Sequence, residues 1–258
     1  MVVLFVMLCA SAQDSISRPQ NLPKPIQDLI ENMVYVEGGT FTMGNTPLRQ
    51  DLVFGKEEPK HQVTVSPFFI CRYEVTQDVW DAVMGSNYSR VKGARLPVSN
   101  ICWDECQEFV FKLILMTGIN FRLPTEAEWE FAARGGNKSR HTEYSGSNSI
   151  DSVAWYGYNS GEKVHSVGQK SPNELGLYDM NGNVWEWCYD YYGLYDSAAQ
   201  IDPKGALNSS TNVTRGGYCL LRAEECRVSS RNGVNPAMKS PYGGFRLAAT
   251  PDHAAATP

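Results

Sequence analysis

The chain has 258 residues and sets 23 Lys and Arg against 28 Asp and Glu, a formal net charge of -5 at pH 7. That balance gives no counterion-release drive toward nucleic acid, and no run of Lys or Arg forms a basic stripe, so nucleic acid is not an expected partner. A hydrophobic content of 42%, with 11% aromatic residues, 22 Gly and 14 Pro, describes a turn-rich folded protein long enough for one large domain.

Val2 to Cys9 form an apolar run too short to span a bilayer, and Ala10-Ser11-Ala12 is a small-x-small cleavage signal. Residues 1–12 therefore read as a secretory signal peptide, and the mature chain is expected to be secreted, periplasmic or at the cell surface. A lipid anchor on Cys9 is the weaker reading, because Leu8 stands before it where that signal usually has a small residue. No other segment is long and apolar enough to cross a membrane. Removing Cys9 with the signal leaves Cys71, Cys102, Cys106, Cys188, Cys219 and Cys226 in an oxidising compartment, with fifteen possible disulfide patterns.

Residues 13–33 are polar and contain Pro19, Pro23 and Pro25, and they read as a flexible leader, with order beginning near Met33. Val34 to Glu37 and Thr40 to Gly44 alternate apolar and polar residues about Gly38-Gly39, which predicts a hairpin. Gln62 to Val65 adds a strand. Thr76 is placed to cap a helix carrying Val79, Trp80, Val83 and Met84. A second helix follows Leu96-Pro97-Val98, with Phe109, Phe111 and Leu113 apolar; Cys102 and Cys106 share a face at its start and read as small half-buried residues, the alternative being a disulfide or metal pair. The third helix opens on the capping box of Thr125 and Glu128 and closes at Gly135-Gly136. Beyond residue 137 no helical period lasts three turns, so this half is expected to be loops with a few strands, and residues 250–258 a loose tail.

Several ordered blocks carry a resemblance. They are Val36 to Gly44, Glu74-Val75-Thr76, Arg122 to Gly136, Asn173 to Trp187, Arg215-Gly216-Gly217, Cys226 to Arg231 and Gly244-Phe245-Arg246. Over residues 34–249 the chain resembles the sulfatase-modifying-factor domain, whose founding member is formylglycine-generating enzyme. The resemblance implies an α+β fold: a single compact domain with little regular secondary structure and a core like that of C-type lectins. It does not imply one activity, because the family includes copper-dependent formylglycine-generating oxidases, iron-dependent sulfoxide synthases, maturation proteins and hypervariable ligand-binding proteins.

In the oxidase branch the double glycine is followed by Ser, two residues, Cys, four residues and Cys, and the two thiols bind Cu(I). Here Tyr218 stands at the serine position, Leu221 at the first cysteine position and Cys226 at the second. Cys219 replaces the missing thiol only if the loop slides by two residues. Losing a thiolate removes the soft ligand pair that Cu(I) requires, so Cys219 and Cys226 read as copper ligands, as a structural disulfide or as unpaired thiols. His61, His141, His165 and His253 include no closely spaced pair, which argues against an iron site. The resemblance further implies calcium at Asp179, Gly182, Val184 and Glu186, through oxygen ligands that suit a hard cation. Trp185, Trp187, Tyr189, Tyr191 and Tyr192 read as core packing or as a groove wall.

The leading expectation is a secreted, non-catalytic member binding a protein or small ligand through residues 215–246, with Tyr218, Leu220, Leu221, Arg222, Glu224 and Glu225 displayed for contact. The alternatives are a formylglycine-generating oxidase using Cys226 with a displaced Cys219, copper and O2, and a hypervariable member diversified at those same positions.

Overall fold

The computed structural model describes residues 21–45 and 55–251. The signal peptide reading at 1–12 and residues 252–258 of the tail lie outside the described residues. Within them the chain forms an α+β domain of five short or medium helices and eleven strands, several only two residues long.

The first element corrects the expected leader. Helix α1 spans Lys24–Glu31 and buries Ile26, Leu29 and Ile30. Pro23 and Pro25 sit at its start, where a missing N–H is tolerated and a fixed φ suits the first turn. Prolines that suggested disorder are instead the opening of a core helix.

Strands β1 (Met33–Val36) and β2 (Gly39–Met43) do not form the expected hairpin. β1 pairs antiparallel with β4 (Phe68–Cys71), and β2 with β3 (His61–Val65). Alternation identifies a strand but not its partner, and Gly38 does the separating: a Cβ there would lie 2.5 Å from the Val65 carbonyl oxygen. β11 (Ala248–Ala249) and β5 (Phe121–Arg122) complete the sheet β1-β4-β11-β5. A second sheet runs β10 (Gly243–Gly244), β6 (Trp185–Tyr191), β8 (Asn212–Arg215), β9 (Arg231–Val234), and a third runs β2, β3, β7 (Gln200–Ile201).

Helix α2 (Gln77–Met84) buries Val79 and Trp80. Thr76 precedes it but does not cap it; its hydroxyl donates to the Asp78 carboxylate, which accepts the Val79 N–H at 2.8 Å. Helix α3 (Trp103–Thr117) buries Cys106, Phe109 and Leu113, while Phe111 is exposed, one position off the apolar stripe. Helix α4 (Glu126–Ala133) carries the predicted capping box: the Glu128 N–H reaches Thr125 Oγ1 at 3.2 Å, and the Thr125 N–H reaches Glu128 Oε2 at 2.8 Å. Gly135 ends that segment in the left-handed region. The four-residue helix α5 is Ile150–Val153.

The apolar core has two main parts. One lies against α1, α2 and α3 and includes Trp80, Phe109 and Phe245, with Trp80 and Phe109 stacked at 5.2 Å. The other gathers α4 residues with Val63, Phe68, Met180 and Val213. Trp185 and Trp187 of β6 are buried and meet edge to face at 4.8 Å, whereas Tyr189 and Tyr191 are exposed. The aromatic cluster is thus divided between core and surface.

Buried ion pairs hold together what regular structure does not. Arg215 reaches Glu126 and Glu130, Arg231 forks onto Glu126, Arg227 onto Glu57 and Arg246 onto Glu186, and all four guanidinium groups are buried. Burying such a charge is costly unless every donor is matched, so each pair also ties down carbonyl oxygens of irregular loops. No helix among the described residues is long and apolar enough to cross a membrane.

Candidate functional site

Strand β8 delivers Arg215 into the ion network and the chain then turns at Gly216 and Gly217, with φ of 89° and 70°. Side chains are disfavoured there on backbone grounds, and at Gly217 also on space: a Cβ would lie 2.7 Å from Cys226 Sγ and 2.8 Å from the Glu225 carbonyl oxygen. The double glycine therefore lets the strand end fold over Cys226.

The following loop is fastened from beneath. The Cys219 N–H donates to the Asn183 carbonyl at 3.1 Å, Ser160 Oγ to the Cys219 carbonyl at 2.6 Å, and the Gly157 N–H to the Leu221 carbonyl at 2.8 Å. A 3-10 turn at Ala223–Cys226 closes it, and Asn181 Nδ2 donates to the Cys226 carbonyl at 2.6 Å. Cys219 and Cys226 are both 0% exposed, and among the described residues all six cysteines are free thiols. Burial pushes each of these two thiols up to about 12, so neither is an activated, low-pKa thiol in the metal-free protein.

The six expected contact residues divide. Leu220, Arg222 and Glu225 are exposed, and Tyr218 is half-buried with its ring stacked 5.3 Å from Tyr242. Leu221 turns inward against the small cluster of Tyr144, Ile150, Val153, Tyr156 and Cys226. Glu224 is half-buried and its carbonyl accepts Arg227 Nε at 2.8 Å. Glu225 Oε2 accepts the Arg222 N–H at 3.3 Å, which stiffens the turn that displays both. Sequence reasoning missed Tyr242 and Tyr158. Tyr158 is 89% exposed and follows Gly157, whose amide is bonded to this loop, so it extends the same surface. Its only signal in the sequence was a large aromatic in a polar, glycine-containing stretch.

The expected calcium residues lie in one turn that leads into β6. Asp179 is buried, with φ of 56°, and its Oδ2 accepts the Gly168 N–H at 2.7 Å while Oδ1 has no partner. Glu186, expected to ligate through its carboxylate, instead accepts Arg246 Nη2 at 2.6 Å, Arg246 Nε at 2.7 Å and Trp129 Nε1 at 2.7 Å. Glu74 joins them, holding Asn183 Nδ2 at 2.7 Å and the Val184 N–H at 3.2 Å. Burial, then Asp179 and Glu186, raise the Glu74 carboxyl well above its usual range; burial raises Asp179 to about 6. Three buried carboxylates thus share the one guanidinium of Arg246. A hard cation suits the unpartnered Asp179 oxygen and the excess negative charge, with Gly182 and Val184 able to offer only carbonyls and Glu186 carrying one donor on Oε1 and two on Oε2. Among the described residues no group of three or more His, Cys, Asp and Glu side chains is placed to hold a metal, which leaves the three described histidines without a shared site.

Gly244-Phe245-Arg246 closes this centre. A Cβ on Gly244 would lie 2.8 Å from the Val98 carbonyl, Phe245 meets Trp80 and Phe109 edge-on, and Arg246 holds Glu186.

Comparison with known proteins agrees with this architecture. The chain is 33% identical over 241 residues to chaperone protein LppX of Paenibacillus barcinonensis, covering 73% of this chain and 82% of that one. It is 27% identical over 299 residues to formylglycine-generating enzyme of Thermomonospora curvata, covering 87% and 95%. The solved structure of Treponema denticola variable protein 1 superposes with a TM-score of 0.77 at 32% identity, over 85% of this chain and 95% of that one. Its fold is the C-type-lectin-like fold of formylglycine-generating enzymes. The sulfatase-modifying factor enzyme 1-like domain matches residues 19–251, and the chain belongs to that family.

Proposed function

We propose that this protein is a recognition member of its family, binding a ligand or partner protein through the surface built on residues 215–246 and carrying out no copper–thiol oxidation. One observation carries the reading: the loop that holds Cys219 and Cys226 buries both thiols while it turns Leu220, Arg222 and Glu225 outward beside the half-buried Tyr218. Tyr242 and Tyr158 widen that surface. An aromatic and apolar patch with both charge signs at its edge, displayed by a stiffened loop, suits contact better than electron transfer. Export from the cytoplasm belongs to the same proposal and rests on residues 1–12; mass measurement of the mature N-terminus tests it.

The competing oxidase reading is settled by adding Cu(I) to the reduced protein and following a Cys-x-Pro-x-Arg peptide by mass spectrometry. We expect no tight copper binding and no loss of sulfur from the peptide. Oxidation of that peptide would overturn the recognition reading. The likeness to Treponema denticola variable protein 1 supports a narrower form, in which the outward residues of this loop are the diversified ones. Sequencing the locus in many isolates tests it, since substitutions spread evenly along the chain would dismiss it.

Calcium at Asp179 is part of the proposed function as a structural ion. It would neutralise the Glu74, Asp179 and Glu186 centre beneath the recognition loop, whose Cys219 amide hangs on Asn183 of the same turn. Thermal unfolding with calcium and with chelator tests this, and identical midpoints would remove the ion from the proposal.

A further inference from the structure

A cavity of about 190 Å³ lies between β3, the start of α4, the end of β6 and the loop 193–206, and it shares no lining residue with the recognition loop. Asp190 lines it. The residue is 3% exposed, and its Oδ2 accepts the Glu126 N–H at 2.8 Å, but no other residue donates to Oδ1. The nearby guanidinium of Arg231 is not available, because Nε and Nη2 fork onto Glu126 and Nη1 donates to the Lys56 and Gly193 carbonyls.

His61, 4% exposed, lines the same cavity. Its Nδ1 faces the Pro59 carbonyl at 3.1 Å, which makes Nδ1 the protonated nitrogen and leaves Nε2 with a lone pair and no donor. The imidazole packs 4.8 Å from the Tyr195 ring, which also carries the Arg231 guanidinium at 4.0 Å. Gly205 lets the loop lie directly on β6: its φ is 77°, and a Cβ there would meet Asp190 Cβ at 2.7 Å and the Tyr191 carbonyl at 2.6 Å.

Two acceptors that face one cavity and take no donor from another residue suit a ligand that is all donor and positively charged. We propose that this cavity binds an alkylammonium group, from a lysine side chain or a free amine, held between Asp190 Oδ1 and His61 Nε2, while the Tyr195 ring is covered by the Arg231 guanidinium at 4.0 Å. A water molecule satisfies the two acceptors in the empty protein but leaves the Asp190 charge without a counterion.

The groups facing Asp190 are Glu126 and Glu128 from α4, Arg231 from β9, His61 from β3, and Tyr195 and Asp196 from the loop, with Arg215 behind Glu126. Burial first, then Glu126 and Glu128, raise the Asp190 carboxyl well above its usual range, and an ammonium partner reverses that push. Acidification protonates Asp190, which removes the anion that the ligand needs.

The test is calorimetric titration with n-butylamine and with Nα-acetyl-lysine methylamide, using n-butanol as the uncharged control. At about pH 7 the intact chain should bind the amines about tenfold or more tightly than the alcohol, Asp190→Asn should abolish that preference, and binding should weaken about tenfold near pH 5. Tighter binding of the lysine derivative identifies a peptide as the source, and tighter binding of butylamine a free amine. If Asp190→Asn does not fold, the acid dependence of the unmodified chain carries the test. No saturable amine binding, equal affinity for the alcohol, binding unchanged by acid, or amine binding unchanged in Asp190→Asn would each overturn the proposal.

Discussion

Replacing Asp179 with Asn should stabilise the calcium-free protein at neutral pH, although it alters a buried residue. The Asp179 carboxyl is raised from 3.8 to about 6, chiefly by burial and against the Gly168 N–H and Arg246, which favour its charge. A group whose folded value lies above its unfolded one binds its proton more tightly when folded. Its contribution is present below the unfolded value, is lost as pH rises from about 4 to 6, and stays lost at pH 7. A shift of about two units corresponds to about 3 kcal/mol. Asn cannot ionise, keeps an oxygen for the Gly168 N–H and tolerates the φ of 56°. Its amide also places a donor where Oδ1 has no partner, next to the charge of Glu74 and Glu186. Urea unfolding in chelator should therefore show the variant ahead by up to about 3 kcal/mol at pH 7 and level with the parent near pH 4, while added calcium should favour the parent alone. A variant less stable at pH 7, or a gap that does not change with pH, would refute the assignment of Asp179 as an uncompensated buried charge.

Further outcomes follow from the packing. Leu29→Ala should cost about 2–5 kcal/mol in urea unfolding, because α1 is core; a neutral result would restore the leader reading. Arg246→Ala should cost about 3–5 kcal/mol by leaving Glu186 charged and buried, and the loss should shrink in Arg246→Ala with Glu186→Gln. Peptide mapping after brief alkylation of the native protein should find Cys102 labelled before the five buried thiols; early labelling of Cys219 or Cys226 would contradict their burial.

What could be read from the chain divides by the range of the interaction. The Thr125 capping box, the Gly135 stop and the α3 stripe of Cys106, Phe109 and Leu113 depend on neighbours within four residues, and the sequence displays them. Partnership of strands does not: β1 and β2 alternate as predicted, yet their mates are β4 and β3, because the close approach of Val65 to Gly38 involves residues far apart in the chain. The missed helix α1 has the same cause, since Ile26, Leu29 and Ile30 are apolar at helical spacing but sit among prolines, and only α2 and the core behind it make them worth burying.

The site shows the same division more sharply. The family blocks pointed to Asp179 and Glu186 together; the structure pairs Glu186 with Arg246 and adds Glu74, 112 residues before it, to the acid cluster. Counting positions after Gly217 places Leu221 at the first cysteine position, and the structure shows both remaining sulfurs buried. Gly217 folds the strand end onto Cys226, Leu221 fills the apolar cluster beside it, and neither thiol reaches solvent. Restoring a thiol at Leu221 alone would therefore place it in that apolar cluster with its proton held, so the chemistry of this loop depends on the packing beneath it as much as on the cysteines it carries.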